Sequence, residues 1–152
     1  MQVALYGLHG RGVETAARII CSACAKSGIN VKALVTSDSY KKALIKIDGT
    51  HEKDFSLSEI SVFFDILNEK LPEKSLVIYN SPTAVSNTML KKNMVKSHYV
   101  DAFSISQKPN MVMLGAFSKM QTKISAKSLK SAIEPYGKEA LEQFDEGCKK
   151  VK

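Results

Sequence analysis

The feature that most constrains the fold is the way the chain begins: a short apolar segment stops at a glycine-rich loop and continues as an amphipathic helix. The apolar segment is residues 2–6, the loop is residues 7–12, and apolar residues recur at helical spacing over residues 13–25. Gly28 follows where a helix would end, and residues 29–35 have the composition of a second strand. A strand, a crossover helix and a second strand form a βαβ unit, so the sequence predicts a parallel sheet covered on both faces.

The remaining pattern extends this α/β prediction. Further strands are predicted at residues 43–47, 76–79 and 99–105, whereas residues 60–67 fit a helix by spacing and a buried strand by composition. Helices are predicted over three C-terminal stretches, the second with Ser125 as its N-cap: residues 111–120, 125–134 and 138–149. We therefore expect a three-layer α/β fold with a mostly parallel sheet and a C-terminal helical segment packed back on it. Residues 2–6 should be central, because an apolar run without polar alternation is buried on both faces. The expected core residues in the C-terminal segment are Leu114, Ile124, Leu129, Ile133 and Leu141.

Length and composition predict one soluble domain spanning residues 1–152. The chain is 44% hydrophobic and 24% charged, which is typical of a globular protein rather than a disordered one. No apolar run approaches the ~18 residues of a membrane-spanning helix. The N-terminus lacks the basic region of a secretory signal, so the expected compartment is the cytoplasm.

The net charge of +7 raises the question of nucleic-acid binding. Only Arg11 and Arg18 are arginines, and the other basic residues are lysines spread along the chain. Phosphate and base-edge recognition favours the planar guanidinium group, so a solvated lysine surface is the better interpretation and we expect no nucleic-acid partner. As an alternative, the positive charge steers the chain toward acidic partner proteins or anionic cofactors, and composition does not separate the two interpretations.

The cysteines and histidines do not predict a catalytic or metal site. Cys21 and Cys24 form a C-x-x-C pair, but they lie inside the predicted helix, away from the N-terminal dipole that activates redox cysteines. Around this pair, no metal-ligand spacing is formed by the remaining candidates, His9, His51, His98 and Cys148. His9 is interpreted as a hydrogen-bonding loop residue, and the chain shows neither paired carboxylates in one motif nor a nucleophile with an evident base. We therefore predict no catalytic residue and no metal.

The glycine loop is the candidate binding site. Glycines between a strand and a helix let backbone N–H groups approach an anion at the helix N-terminus. The spacing G-x-x-G-x-G is not a dinucleotide fingerprint, and Glu14 stands where a P-loop has a hydroxyl residue. Two interpretations remain open: a packing turn, whose N–H groups Glu14 itself satisfies, or an anion or coenzyme A contact. The residues of the second interpretation are Gly7, Gly10, Arg11 and Gly12.

Several segments resemble the gamma subunit, or gamma-like domain, of 2-oxoacid:ferredoxin oxidoreductases, the family of the pyruvate and ketoisovalerate enzymes. Residues 7–17 are similar to that family's G-x-G-G-Q-G-V-x-T-A-A opening, with His9 and Arg11 in place of glycine and glutamine. Residues 110–116, N-M-V-M-L-G-A, are similar to a segment with the same letters. Further similarity lies in residues 71–81, 128–133 and 140–148, while the family's loop after the second strand corresponds to residues 37–42.

The resemblance implies an accessory subunit of a complex that decarboxylates a 2-oxoacid, such as pyruvate, to acyl-CoA and passes electrons to ferredoxin. It implies thiamine-binding alpha and beta subunits and a ferredoxin-like subunit as partners. Thiamine diphosphate, coenzyme A and iron–sulfur clusters would be cofactors of the complex, with none bound by this chain alone, and the isolated chain would be inactive. It also implies a buried strand ending in an aspartate at residues 60–65. The alternative function is a free-standing anion- or nucleotide-binding module that uses the glycine loop; a lysine-dependent nucleic-acid binder is the least favoured.

Overall fold

The computed structural model describes residues 1–48, 58–65, 75–84 and 96–152. Its strands are β1 Gln2–Gly7, β2 Val31–Ser37, β3 Lys41–Ile47, β4 Ile60–Phe63, β5 Leu76–Asn80 and β6 Lys96–Val100. Its helices are α1 Val13–Lys26, α2 Asn110–Met120, α3 Ala126–Ile133 and α4 Lys138–Lys150, with a 3₁₀ turn at Glu134–Tyr136 between the last two.

The six described strands form one sheet in the order β2-β3-β1-β4-β5-β6. Strands β1, β4, β5 and β6 are parallel neighbours, whereas β3 is antiparallel to both β1 and β2. The mostly parallel sheet and the central place of β1 are therefore confirmed. The buried strand implied by the resemblance at residues 60–65 is present as β4, but it ends at Phe63, and Asp65 lies in the bend that follows. Residues 66 and 67, the end of the ambiguous stretch, lie outside the described residues.

In the predicted βαβ unit, β1 and β2 would be parallel neighbours, and the structure differs from this arrangement. β1 and β2 run in the same direction but are not neighbours, because β3 lies between them. Only residues 38–40 connect β2 to β3, and two strands joined by so short a connection pair as an antiparallel hairpin. The hairpin places β2 at the edge of the sheet, where Leu34 and Val35 are exposed instead of covered.

Buried apolar side chains lie on both faces of the sheet, which confirms the three-layer α/β class. The larger cluster joins one face to the helices through residues such as Leu5, Ile20 and Phe117. The smaller cluster on the other face consists of Ala4, Tyr6, Phe63, Val77 and Tyr79. Of the predicted C-terminal core residues, Leu114, Ile124, Leu129 and Ile133 are buried, and Leu141 is partly buried against the same cluster.

The C-terminal helices agree with the prediction, but the strand before them ends earlier than predicted. Ser125 caps α3 by accepting a hydrogen bond from the Ser128 N–H at 3.0 Å. The predicted last strand is present as β6, but its predicted extension to residue 105 was wrong, because β6 ends at Val100 and a turn follows. In that turn the Ser104 hydroxyl and amide both donate to Asp101, which satisfies these polar groups within the loop. Among the described residues, no helix is long and apolar enough to cross a membrane.

Helices α2 and α4 approach each other at two glycines. A side chain at Gly115 would collide with the backbone carbonyl of Phe144, and one at Gly147 would collide with that of Val112. The Cys148 thiol donates to the Gly115 carbonyl at 3.2 Å across the same contact. The two backbones are therefore in direct contact, and this contact holds the C-terminal helical pair together.

Candidate functional site

The glycine loop after β1 adopts a conformation that favours glycine at two positions. Gly10 has φ +84° and Gly12, the N-cap of α1, has φ +82°. A Cβ on Gly12 would also lie 2.6 Å from Nδ2 of Asn110, so this position has no room for a side chain. The loop thus brings the start of α1 against the start of α2.

A carboxylate at the end of β4 braces the loop. Asp65 Oδ2 accepts a hydrogen bond from the Leu8 N–H at 2.9 Å, and Oδ1 accepts one from Arg11 Nε at 2.9 Å. The Arg11 guanidinium carbon also lies 4.7 Å from the ring centroid of Phe103. Because β1 and β4 are parallel neighbours, their carboxyl ends meet at one edge of the sheet, and this is why Asp65 reaches the loop. Reasoning from the residues alone missed Asp65 as a partner of the loop; its position directly after a buried strand was the available signal.

An open cleft of about 1030 Å³ lies beside the loop, at the N-terminus of α1. Its walls are the first turns of α1, the start of β3, residues 105–111 and the first turns of α4. Gly10 and Gly12 line this cleft. Gly7 lies outside its lining and packs against Val13 and Phe64, and Arg11 is held by Asp65 instead. The structure therefore brings only two of the four predicted binding residues to the cleft.

Two of the cations that line the cleft pair with Glu14. Its carboxylate accepts hydrogen bonds from Lys41 Nζ at 3.1 Å and from Arg18 Nη2 at 2.6 Å. The hydrogen bond from Lys41, together with the charges of both cations, lowers the pKa of Glu14. Glu14 thus binds two cations, and Gly12, as the N-cap, offers no side chain to the helix N–H groups.

Asn110 adds a polar side chain to the cleft wall. It lies at the N-terminus of α2 and is only 7% exposed. Its side-chain amide packs directly against Gly12 and makes no hydrogen bond within the part of the chain that the structure describes. Because none of the described residues has a buried side-chain polar atom without a partner, this amide is reached by solvent from the cleft and can hydrogen-bond a ligand there.

The histidine and cysteines singled out in the sequence lie outside the cleft lining. His9 Nε2 lies 3.1 Å from the Asp38 carbonyl, a hydrogen bond between the glycine loop and the β2–β3 connection. Burial raises the pKa of the Cys21 thiol, and it raises that of Cys24 to about 11, so neither is a thiolate at neutral pH. No group of three or more metal-ligating residues occurs among residues 1–48, 58–65, 75–84 and 96–152.

No protein-family model and no curated protein sequence matches the chain. Several solved structures match the chain. The pyruvate oxidoreductase subunit of Thermotoga maritima superposes with a TM-score of 0.83 at 20% identity, over 100% of this chain and 97% of its own. The chain has the fold of this oxidoreductase subunit.

Two further solved structures share this subunit fold. The keto/oxoacid ferredoxin oxidoreductase gamma subunit of Geobacter sulfurreducens has a TM-score of 0.76 at 13% identity, with 97% of this chain and 96% of its own covered. The 2-oxoglutarate:ferredoxin oxidoreductase of Magnetococcus marinus, solved with 2-oxoglutarate, coenzyme A and succinyl-CoA bound, has a TM-score of 0.80 at 20% identity. This chain covers only 30% of that longer chain. The same fold therefore occurs both as a separate subunit and as part of a larger polypeptide.

Proposed function

We propose that the chain is an accessory subunit of a 2-oxoacid:ferredoxin oxidoreductase, and that it works in the cytoplasm. The observation that carries this proposal is the fold shared, over nearly their full lengths, with two separately encoded subunits of such enzymes. The N-M-V-M-L-G-A segment at the start of α2 supports it from the sequence side. The alternative of a free-standing binding module gains no support from these likenesses.

In this proposal the redox chemistry belongs to partner chains. An iron–sulfur cluster of the common type needs about four thiolates, whereas the chain has three cysteines. Cys21 and Cys24 lie in α1 and Cys148 in α4, and burial raises the pKa of all three thiols. The alpha, beta and ferredoxin-like subunits would therefore hold thiamine diphosphate and the clusters. This chain would contribute binding surfaces to the complex.

Reconstitution with the cognate alpha, beta and ferredoxin-like subunits tests this role. We expect turnover of a 2-oxoacid such as pyruvate, with coenzyme A and an electron acceptor, from the complete set. Omission of this chain should abolish or strongly lower turnover, and this chain alone should show none. Full activity of the set without this chain would contradict the proposal, and so would activity of this chain by itself.

Within that role, we propose that the cleft beside the glycine loop binds an anion, either a coenzyme A phosphate or a partner carboxylate. The N–H groups at Gly10 and Gly12, the N-terminus of α1 and the amide of Asn110 supply donors, and Lys41 supplies a positive charge. The helix dipole alone contributes about 0.3–1 kcal/mol, so binding needs these groups together. An incoming anion would compete with Glu14 for Lys41 and Arg18. Gly7 and Arg11 would act by shaping the loop.

A titration followed by amide chemical shifts tests the cleft. We expect millimolar coenzyme A or phosphate to move the amide signals of Gly10, Gly12 and Val13. Lys41→Gln should weaken binding about fivefold or more, which corresponds to about 1 kcal/mol. Lys127→Gln, an exposed site on α3, should leave binding unchanged. If the three loop amides do not shift, the loop is a packing turn in the isolated chain.

A further inference from the structure

Two residues of the glycine loop, Leu8 and Arg11, and Phe103 from the turn after β6 form an exposed patch that the cleft does not use. Leu8 is 42% exposed and Phe103 is 45% exposed, so both offer apolar surface to a partner. The Arg11 side chain is 35% exposed and lies over the Phe103 ring. We call Leu8, Arg11 and Phe103 the Arg11 patch. It lies at the carboxyl edge of the sheet, outside the lining of the cleft.

Two contacts position Arg11, while part of its guanidinium group remains available. Its Nε donates to Asp65 at 2.9 Å, and its guanidinium carbon lies 4.7 Å from the centroid of the Phe103 ring. Within the described residues, Nη1 and Nη2 make no hydrogen bond or ion pair. A guanidinium group carries five N–H donors, and four of them belong to these two atoms. An arginine positioned in this way, with free donors next to exposed apolar side chains, has the composition of a protein–protein hot spot.

We propose that the Arg11 patch docks a segment of a partner protein in which a carboxylate side chain stands next to an apolar side chain. The carboxylate accepts hydrogen bonds from Nη1 and Nη2, which favour planar, bidentate acceptors. The apolar side chain covers Leu8 and Phe103. This proposal rests on the subunit role proposed above and adds the chemistry by which a partner is recognised.

The apolar side chains of the patch favour a carboxylate on a protein segment over a free phosphate. A phosphate leaves Leu8 and Phe103 uncovered. The net charge of +7 draws acidic protein surfaces toward the chain at long range.

The two arginines of the chain make a selective assay available. Labelling arginine with ¹⁵N gives two side-chain Nε signals, one from Arg11 and one from Arg18. The probe is the blocked dipeptide N-acetyl-leucyl-aspartate amide, and its matched control is N-acetyl-leucyl-asparagine amide, which has nearly the same shape without the charge. We expect the aspartate probe to shift the Arg11 signal and the Leu8 amide at millimolar concentration. The asparagine control should leave the Arg11 signal in place.

Variants separate docking from simple charge attraction. Arg11→Gln should weaken binding of the aspartate probe about tenfold, the effect of losing one charge-assisted hydrogen-bonded contact. Phe103→Ser and Leu8→Ser change exposed side chains, keep Arg11, and should each weaken binding severalfold. The Lys127→Gln variant, at an exposed position on α3, should bind the probe as the wild type does.

Three outcomes would overturn the proposal. In the first, the Arg11 signal stays in place at tens of millimolar probe. In the second, inorganic phosphate shifts it as strongly as the dipeptide while Phe103→Ser has no effect, which identifies a simple anion site. In the third, the asparagine control shifts the Arg11 signal as strongly as the aspartate probe does, which shows that the patch does not recognise the carboxylate. Because the readout is Arg11 and Leu8 in the isolated chain, failure here is distinguishable from failure of the subunit role, which is measured as turnover of the complex.

Discussion

Replacement of Gly115 by alanine should destabilise the protein, although the same change stabilises most helices. In an exposed helix interior, alanine is favoured over glycine by about 1 kcal/mol. At Gly115 in α2 the new methyl group would collide with the backbone carbonyl of Phe144 in α4. A side-chain neighbour can rotate away, but a backbone carbonyl moves only if the helix moves.

The size of the effect follows from these two opposing contributions. Overpacking of a tight contact costs about 1–3 kcal/mol, and a backbone-to-backbone clash belongs at the upper end of that range. After the gain in helix propensity is subtracted, a net loss of about 2 kcal/mol remains. For a domain of this length, that loss lowers Tm by about 4–8 °C.

Urea unfolding followed by circular dichroism measures this loss directly. We expect Gly115→Ala to lower the midpoint without changing the slope, and Gly147→Ala, on the opposite side of the contact, to act in the same direction. Lys127→Ala, an exposed position in α3, is the matched control and should lie within about 0.5 kcal/mol of the wild type. A Gly115→Ala protein as stable as the wild type, or more stable, would refute the close approach of the two helices.

Three other positions give outcomes that single measurements check. Leu114 is 1% exposed, so Leu114→Ala should cost about 2–5 kcal/mol in urea unfolding; a loss below about 1 kcal/mol would mean that the side chain is not packed. Asp65→Asn removes the charge that holds Arg11, and we expect a loss of about 1–2 kcal/mol together with a large shift of the Leu8 amide signal; an unchanged Leu8 signal would contradict the bracing contact. The pKa of Cys24 is raised to about 11, so its alkylation rate should keep rising with pH through the range from neutral to 10, and a plateau near neutral pH would contradict the burial of this thiol.

Local sequence signals were sufficient for most of the sheet and for the C-terminal helices. The unbroken apolar run in β1 predicts a central strand, and β1 is the third of six strands in the sheet. Ser125 predicts the start of α3, because its side chain competes for the first free N–H groups of the helix. Such signals lie within a few residues of the element they define, so they predict the element without knowledge of the tertiary structure.

Features that depend on distant residues were missed. The insertion of β3 between β1 and β2 follows from hairpin pairing, and a strand's own sequence does not say which neighbour it pairs with. The pairing of Arg11 with Asp65 joins residues 54 positions apart. The extension of the last strand beyond Val100 was predicted from apolar composition, but the hydrogen bonds that Asp101 accepts from Ser104 favour a turn there.

In the candidate site, too, the local sequence predicts some residues, and contacts between distant residues determine the others. Gly10 and Gly12 were recognised from the loop pattern, and both line the cleft. The sequence places Asn110 only in the segment that resembles the family. No signal near it in the sequence predicts its contact with Gly12. The packing-turn interpretation has Glu14 satisfy the loop N–H groups, whereas the structure shows its carboxylate paired with Arg18 and Lys41. The ion pair between Lys41 and Glu14 depends on the pairing of β3 with β1, which the local sequence does not predict.

Affinity purification of the tagged chain from its native cells tests the central claim most directly. If the chain is an accessory subunit, it should elute in a stable complex with thiamine-binding and ferredoxin-like chains in equal stoichiometry, and that fraction should oxidise a 2-oxoacid with coenzyme A. Recovery of the chain alone, while the 2-oxoacid oxidoreductase activity of the same cells elutes in a fraction that lacks it, would contradict the account.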